Sequence, residues 1–151
     1  MHLTDVQFAS ILEDEDKLIR ADISWSEDED HSPALEFRAD VESSEGWPLF
    51  VKGRYNRRAG TLTFALILKT VGRIYGLDMG KDHHNPQCYR VGDTHKHRWS
   101  ERYRDKEAYA PEDLTAPVSE PVLVWRQFCT EACIRHEGTM RSLPAEQMEL
   151  W

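Results

Sequence analysis

The sequence contains no long apolar run. Nothing in it approaches the roughly 18 consecutive apolar residues of a membrane helix, so a membrane span is not expected. It is also poor in cysteine. Cys88, Cys129 and Cys133 make an odd set of three. The first residues, Met1 to Asp16, have neither the basic stretch nor the apolar core of a secretion signal. Reduced thiols in a cytoplasmic protein are therefore the expectation. There is no internal repeat and no low-complexity tract.

Charge, by contrast, is plentiful and unevenly spread. With 151 residues, 40% hydrophobic and 30% charged, the chain can bury a core and is read as one domain, residues 1–151. The net charge is −8, but residues 1–46 hold 14 Asp/Glu against 3 Lys/Arg. Residues 47–110 reverse the balance, with 6 Asp/Glu against 13 Lys/Arg, and residues 111–151 return to 7 against 3. A basic middle in an acidic chain fits an anion-binding surface, and it equally fits a solvated surface of mixed sign.

Local patterning predicts an α+β fold. Thr4 as N-cap with Gln7 three residues on is a capping box, and Leu3 with Phe8 can staple the same helix start. Val6, Phe8, Ala9, Ile11 and Leu12 have helical spacing. The acidic run Glu13-Asp14-Glu15-Asp16 opposes the helix dipole and should end the helix. Then the period changes to two. Ile19, Ala21, Ile23 and Trp25 alternate with polar residues, as do Leu35, Phe37, Ala39 and Val41, then Leu49, Val51 and Gly53, then Leu62, Phe64, Leu66 and Leu68. A further strand runs from about Arg73 to Met79. Short alternating runs joined by turns predict an antiparallel meander of about five strands with one buried face. From Gly80 to Tyr109 the text is polar and rich in His, Arg and Tyr, and reads as a long irregular segment. A second helix is predicted from Ser119 or Glu120 to about His136, closed by Gly138 and packed on the sheet.

Four of the seven histidines, His83, His84, His95 and His97, fall in that basic stretch. If the stretch is extended, His95 and His97 share a face and Lys96 points away. Asp78, ending the last predicted strand, can orient an imidazole. Asp78, His84, His95 and His97 are expected to converge there, with Arg54, Arg73 and Arg98 around them. Two histidines can act as base and acid in metal-independent cleavage of RNA at its 2′-hydroxyl, each contributing about 10²–10⁴-fold, with Arg73, Arg98 and Lys96 stabilising the phosphate. Zinc held by three of His83, His84, Cys88, His95 and His97 is a second reading. It is disfavoured because the spacing matches no strong zinc pattern, and no cofactor is expected. Histidines that merely hydrogen-bond within a polar loop are a third.

The order of features resembles the TumE-like toxins of bacterial toxin–antitoxin pairs. The matching residues are Arg73, Tyr75, Asp78, His83, His84, His95, Lys96 and His97, followed by a proline-marked connector into one helix. The resemblance implies a small bacterial protein that binds or cleaves RNA and is paired with an antitoxin protein. It also implies that Tyr75, His83 and Lys96 join Arg54, Arg73 and Arg98 on the substrate side. An alternative of another class is a non-enzymatic acidic inhibitor. In that reading Glu27-Asp28-Glu29-Asp30, Glu36, Asp40 and Glu42 mimic a nucleic-acid backbone and block a nucleic-acid enzyme.

Overall fold

The computed structural model describes residues 2–81, 83, 85–86 and 90–144. Helix α1 spans Asp5–Glu13. Its start is the predicted capping box: Thr4 Oγ1 accepts from the Gln7 N–H, and the Gln7 side chain accepts from the Thr4 N–H. Leu3 and Phe8 are both buried beside it. The last turn of a helix leaves carbonyls without helical partners. Here the buried Lys17 ammonium donates to the carbonyls of Ile11, Leu12 and Asp14, each at 2.7 Å. The acidic run thus stops the helix, and the lysine after it closes the end.

Among the described residues seven strands form one sheet in chain order: β2 (Ser26–Glu27), β3 (Leu35–Val41), β4 (Leu49–Asn56), β5 (Thr61–Leu68), β6 (Gly72–Met79), β7 (Thr94–Arg98) and β8 (Ala108–Tyr109). Every neighbouring pair is antiparallel. The count exceeds the expected five because part of the supposedly irregular segment is strand. The expected first strand is also different. β1 (Lys17–Ile19) leaves the meander and pairs in parallel with β9 (Ile134–His136). Ile23 and Trp25 are buried as the alternation requires, but Ala21 is exposed. Its segment turns outward, with the Ile23 N–H donating to the Thr139 carbonyl instead of to a meander strand.

One face of the sheet is the core. Phe37, Val51, Leu62, Phe64, Leu66 and Leu77 are all buried there. Gly53 lacks a side chain because the ring of its cross-strand partner Phe37 occupies the place: a Cβ would stand 2.0 Å from it. Helix α2 (Pro121–Glu131) lies on this face, with Trp125 and Phe128 ring centroids 5.2 and 5.6 Å from that of Phe64. It begins where expected, with Pro121 in its first turn, but ends earlier than His136. Cys133 takes a φ of 55° and turns the chain into β9. Among the described residues no helix is long and apolar enough to cross a membrane.

Candidate functional site

Among the described residues no α-helix lies on the opposite face of the sheet, and two rows of residues cross it. By strand register, Glu36, Arg54, Thr63, Asp78 and His95 are successive neighbours from β3 to β7. The next row is Arg38, Lys52, Ala65, Gly76 and His97. Small residues on β5 make the floor, with Arg38, Lys52 and Arg54 on one side and the histidines on the other. Strands lie about 4.8 Å apart, so Lys52 and His97 are separated by three spacings, about 14 Å. The hollow between them is an open groove of about 720 Å³, which Arg73 and Lys81 also line.

A bulge shapes the histidine side. Between Leu66 and Ile67 the register shifts, so Tyr75 faces Leu66 while Arg73 faces Ile67. Ile74 is the extra residue, and its insertion puts Arg73 on the same face as Asp78. Gly76 lies between them. A Cβ there would be 3.1 Å from Arg73 Cδ, so the glycine gives the arginine room to lie along the strand. Arg73 Nη1 stands 3.6 Å from Asp78 Oδ2, and Arg73 Nε is 3.2 Å from Asp105.

Asp78 is the centre of the cluster. Its Oδ1 accepts from the Thr63 hydroxyl at 2.6 Å, and its Oδ2 lies 3.3 Å from His95 Nε2 and 3.1 Å from His97 Nε2. All three side chains are nearly excluded from water. Burial alone would raise the Asp78 pKa, but hydrogen bonds from His95, His97 and Thr63 hold it well below the usual carboxylate range. Burial likewise works to lower the His95 pKa, and the bonds to Asp78 and the Gly92 carbonyl more than offset it, raising the value. The other nitrogen of each ring is held by backbone. His95 Nδ1 donates to the Gly92 carbonyl at 2.9 Å and His97 Nδ1 to the Asp105 carbonyl at 2.8 Å. His83 completes the group, with Nε2 donating to the Lys106 carbonyl at 2.7 Å and its ring centroid 4.7 Å from that of His97. The loop from β6 to β7, which carries His83, is tied to β8 because Asn85 and Ala108 exchange two hydrogen bonds of 2.8 Å.

The expected site residues therefore separate into groups. Asp78, His83, His95, His97 and Arg73 come together. His84 and Cys88 lie outside the described residues. Arg54 lines the groove but is engaged by Asp28 at 2.9 Å and Glu36 at 3.7 Å. Three residues expected on the substrate side lie on the core face. Lys96 is buried and ion-paired with Glu131 of α2, as the strand period requires of a residue between His95 and His97. Tyr75 is buried with its ring stacked on Phe128. Arg98 extends over the Phe8 ring at 5.5 Å. Thr63 and Asp105 were missed. Thr63 was legible as an outward residue on a strand neighbouring Asp78; Asp105 sits in a loop with no periodic signal.

This is an α+β protein with a charged sheet face, uncovered by helix among the described residues, that ends in a buried His–Asp cluster. The chain belongs to the DUF6978 family, a family of unknown function, whose model matches residues 3–134. No curated protein and no solved structure matches the chain.

Proposed function

We propose that this protein binds single-stranded RNA along the open sheet face, with the phosphodiester to be cleaved lying at the Asp78–His95–His97 end. One observation carries the reading: Arg38, Lys52, Arg54, Arg73 and Lys81 line a single groove whose acidic side chains, among the described residues, are Glu36 and Asp78. Cations gathered on a concave surface attract a phosphate backbone. The small floor residues Thr63 and Ala65 leave room for a strand of nucleic acid. A cytoplasmic bacterial toxin with an antitoxin partner belongs to the same proposal and rests on the sequence resemblance. The acidic-mimic alternative is weaker, since Asp28 and Glu36 are engaged by Arg54 and so present less net charge than their number implies.

The test is fluorescence anisotropy of a labelled single-stranded RNA at increasing salt. For single strands the slope of log K against log salt is about −0.7 per phosphate neutralised. Lys52→Ala combined with Lys81→Ala should therefore make the slope shallower by about 1.4 and weaken binding at low salt. On a gel, the wild type should shorten the RNA, and Asp78→Asn should not. Absence of binding at low salt, or a slope unchanged in the double variant, refutes the reading.

A further inference from the structure

We infer that His83, His95, His97 and Asp78 form a binding site for one divalent transition-metal ion of the zinc type. The first reason is convergence. Among the described residues, the coordinating atoms of His83, His95 and His97 all lie within 4.8 Å of one another. Around a tetrahedral zinc, with bonds near 2.0–2.2 Å, donor atoms stand about 3.4 Å apart. The two contacts to Asp78 Oδ2, 3.3 and 3.1 Å, already have that spacing. Closing the widest pair from 4.8 Å to about 3.4 Å takes roughly 0.7 Å of movement per ring.

The second reason is the disposition of protons. A backbone carbonyl only accepts hydrogen bonds, so the carbonyls of Gly92 and Asp105 require a proton on Nδ1 of His95 and of His97. In a neutral ring Nε2 then presents a lone pair. Both Nε2 atoms nevertheless face the same carboxylate oxygen, which also only accepts. Two extra protons would resolve the conflict by setting two imidazolium rings beside Arg73 around a single buried carboxylate. One cation shared by Oδ2 and both Nε2 atoms resolves it without charging either ring. Arg73 can stay, because Asp105 is its nearer carboxylate.

The third reason is the support around the rings. Metal-binding histidines characteristically donate their second nitrogen to a carbonyl or carboxylate, which sets the ring orientation. All three rings do so here, to Gly92, Asp105 and Lys106, which come from two separate loops. Thr63 does the same for the carboxylate through Oδ1. Simple spacing rules overlook the site because His95-x-His97 lies on a strand, His83 on a preceding loop and Asp78 on the adjoining strand. This inference stands on ring geometry and does not depend on RNA binding.

The experiment uses the full chain stripped with chelator and dialysed, then titrated with Zn²⁺ or Co²⁺ alone. One equivalent should bind, measured by elemental analysis after desalting. The Co²⁺ form should show the intense visible absorption of a four-coordinate ion. His97→Ala should weaken binding at least about 100-fold, more than is usual for loss of a supporting residue. His83→Ala, at a half-exposed position, should do so in a protein that keeps its circular dichroism spectrum. His31→Ala, far along the chain and exposed, and Lys52→Ala should leave binding unchanged. Lack of saturable binding in the wild type, or equal affinity in the His83→Ala variant, overturns the inference. Metal bound normally in a protein without affinity for RNA would support the site and refute the RNA reading, so the two can fail separately.

Discussion

Removal of Glu131 should destabilise the protein more than its position at the end of a helix implies, and removal of its partner as well should restore most of the loss. The Lys96 and Glu131 side chains are 1% and 11% exposed, so the pair joining β7 to α2 is almost fully buried. Taking one partner from a buried pair leaves a desolvated charge and costs about 3–5 kcal/mol, whereas replacing both with apolar groups is often close to neutral. Two features moderate the single change. Asp113 Oδ1 lies 3.4 Å from Lys96 Nζ and can accept in place of Glu131, but it is 57% exposed and a weak substitute. The Lys96 ammonium also stands 5.7 Å from the Tyr75 ring centroid. Glu131→Leu is therefore placed at the lower end, about 3 kcal/mol. For a chain of this length 1 kcal/mol shifts Tm by roughly 2–4 °C, so the drop should be about 6–12 °C. Glu131→Leu with Lys96→Met should recover most of it. Thermal melts and guanidinium titrations of wild type, both single variants and the double variant form the cycle. A double variant no more stable than the worse single variant would refute the reasoning, since the loss would then come from packing rather than from a stranded charge.

Lys17→Met strips the donors from three carbonyls at the end of α1 and should cost on the order of 3 kcal/mol in guanidinium unfolding, far more than is usual for a lysine. Burial pushes the Cys129 thiol up to about 12. At pH 8 only about one molecule in 10⁴ would then carry the thiolate, so the peptide containing Cys129 should stay unalkylated by iodoacetamide in the native protein and react once denatured, as read by mass spectrometry.

Much of the fold was legible because local chemistry and tertiary demand agree. The capping box at Thr4 and Gln7 works within one turn and needs nothing distant. The alternation through β3 to β5 recurs as strict burial on one face, because a strand beneath a helix has to put every second side chain in the core. The same rule correctly separated Lys96 from His95 and His97 once that stretch proved extended. Carried through, it also puts Tyr75 and Arg98 on the core face, each an odd number of positions from an outward-facing member of the cluster, but it could not reveal the bulge that brings Arg73 in. Tyr75 is separated from Asp78 by an odd number of positions, and only the bulge at Ile74 returns Arg73 to the cluster while leaving the tyrosine behind. The early end of α2 and the parallel pairing of β1 with β9 depend on contacts between residues more than 100 positions apart, which no local pattern encodes.

By itself, then, the sequence determined the fold class, strands β3 to β6 and the stretch that carries the clustered histidines, since each follows from period, capping and composition over a few residues. Only the tertiary structure decided which of the basic and histidine side chains meet. Pairing β6 with β7 sets Asp78 opposite His95, and the loops carrying Gly92, Asp105 and Lys106 turn three rings toward one point. Those are register and loop-closure events, set by strand pairing and by contacts such as that of His83 with Lys106, which local periodicity does not encode.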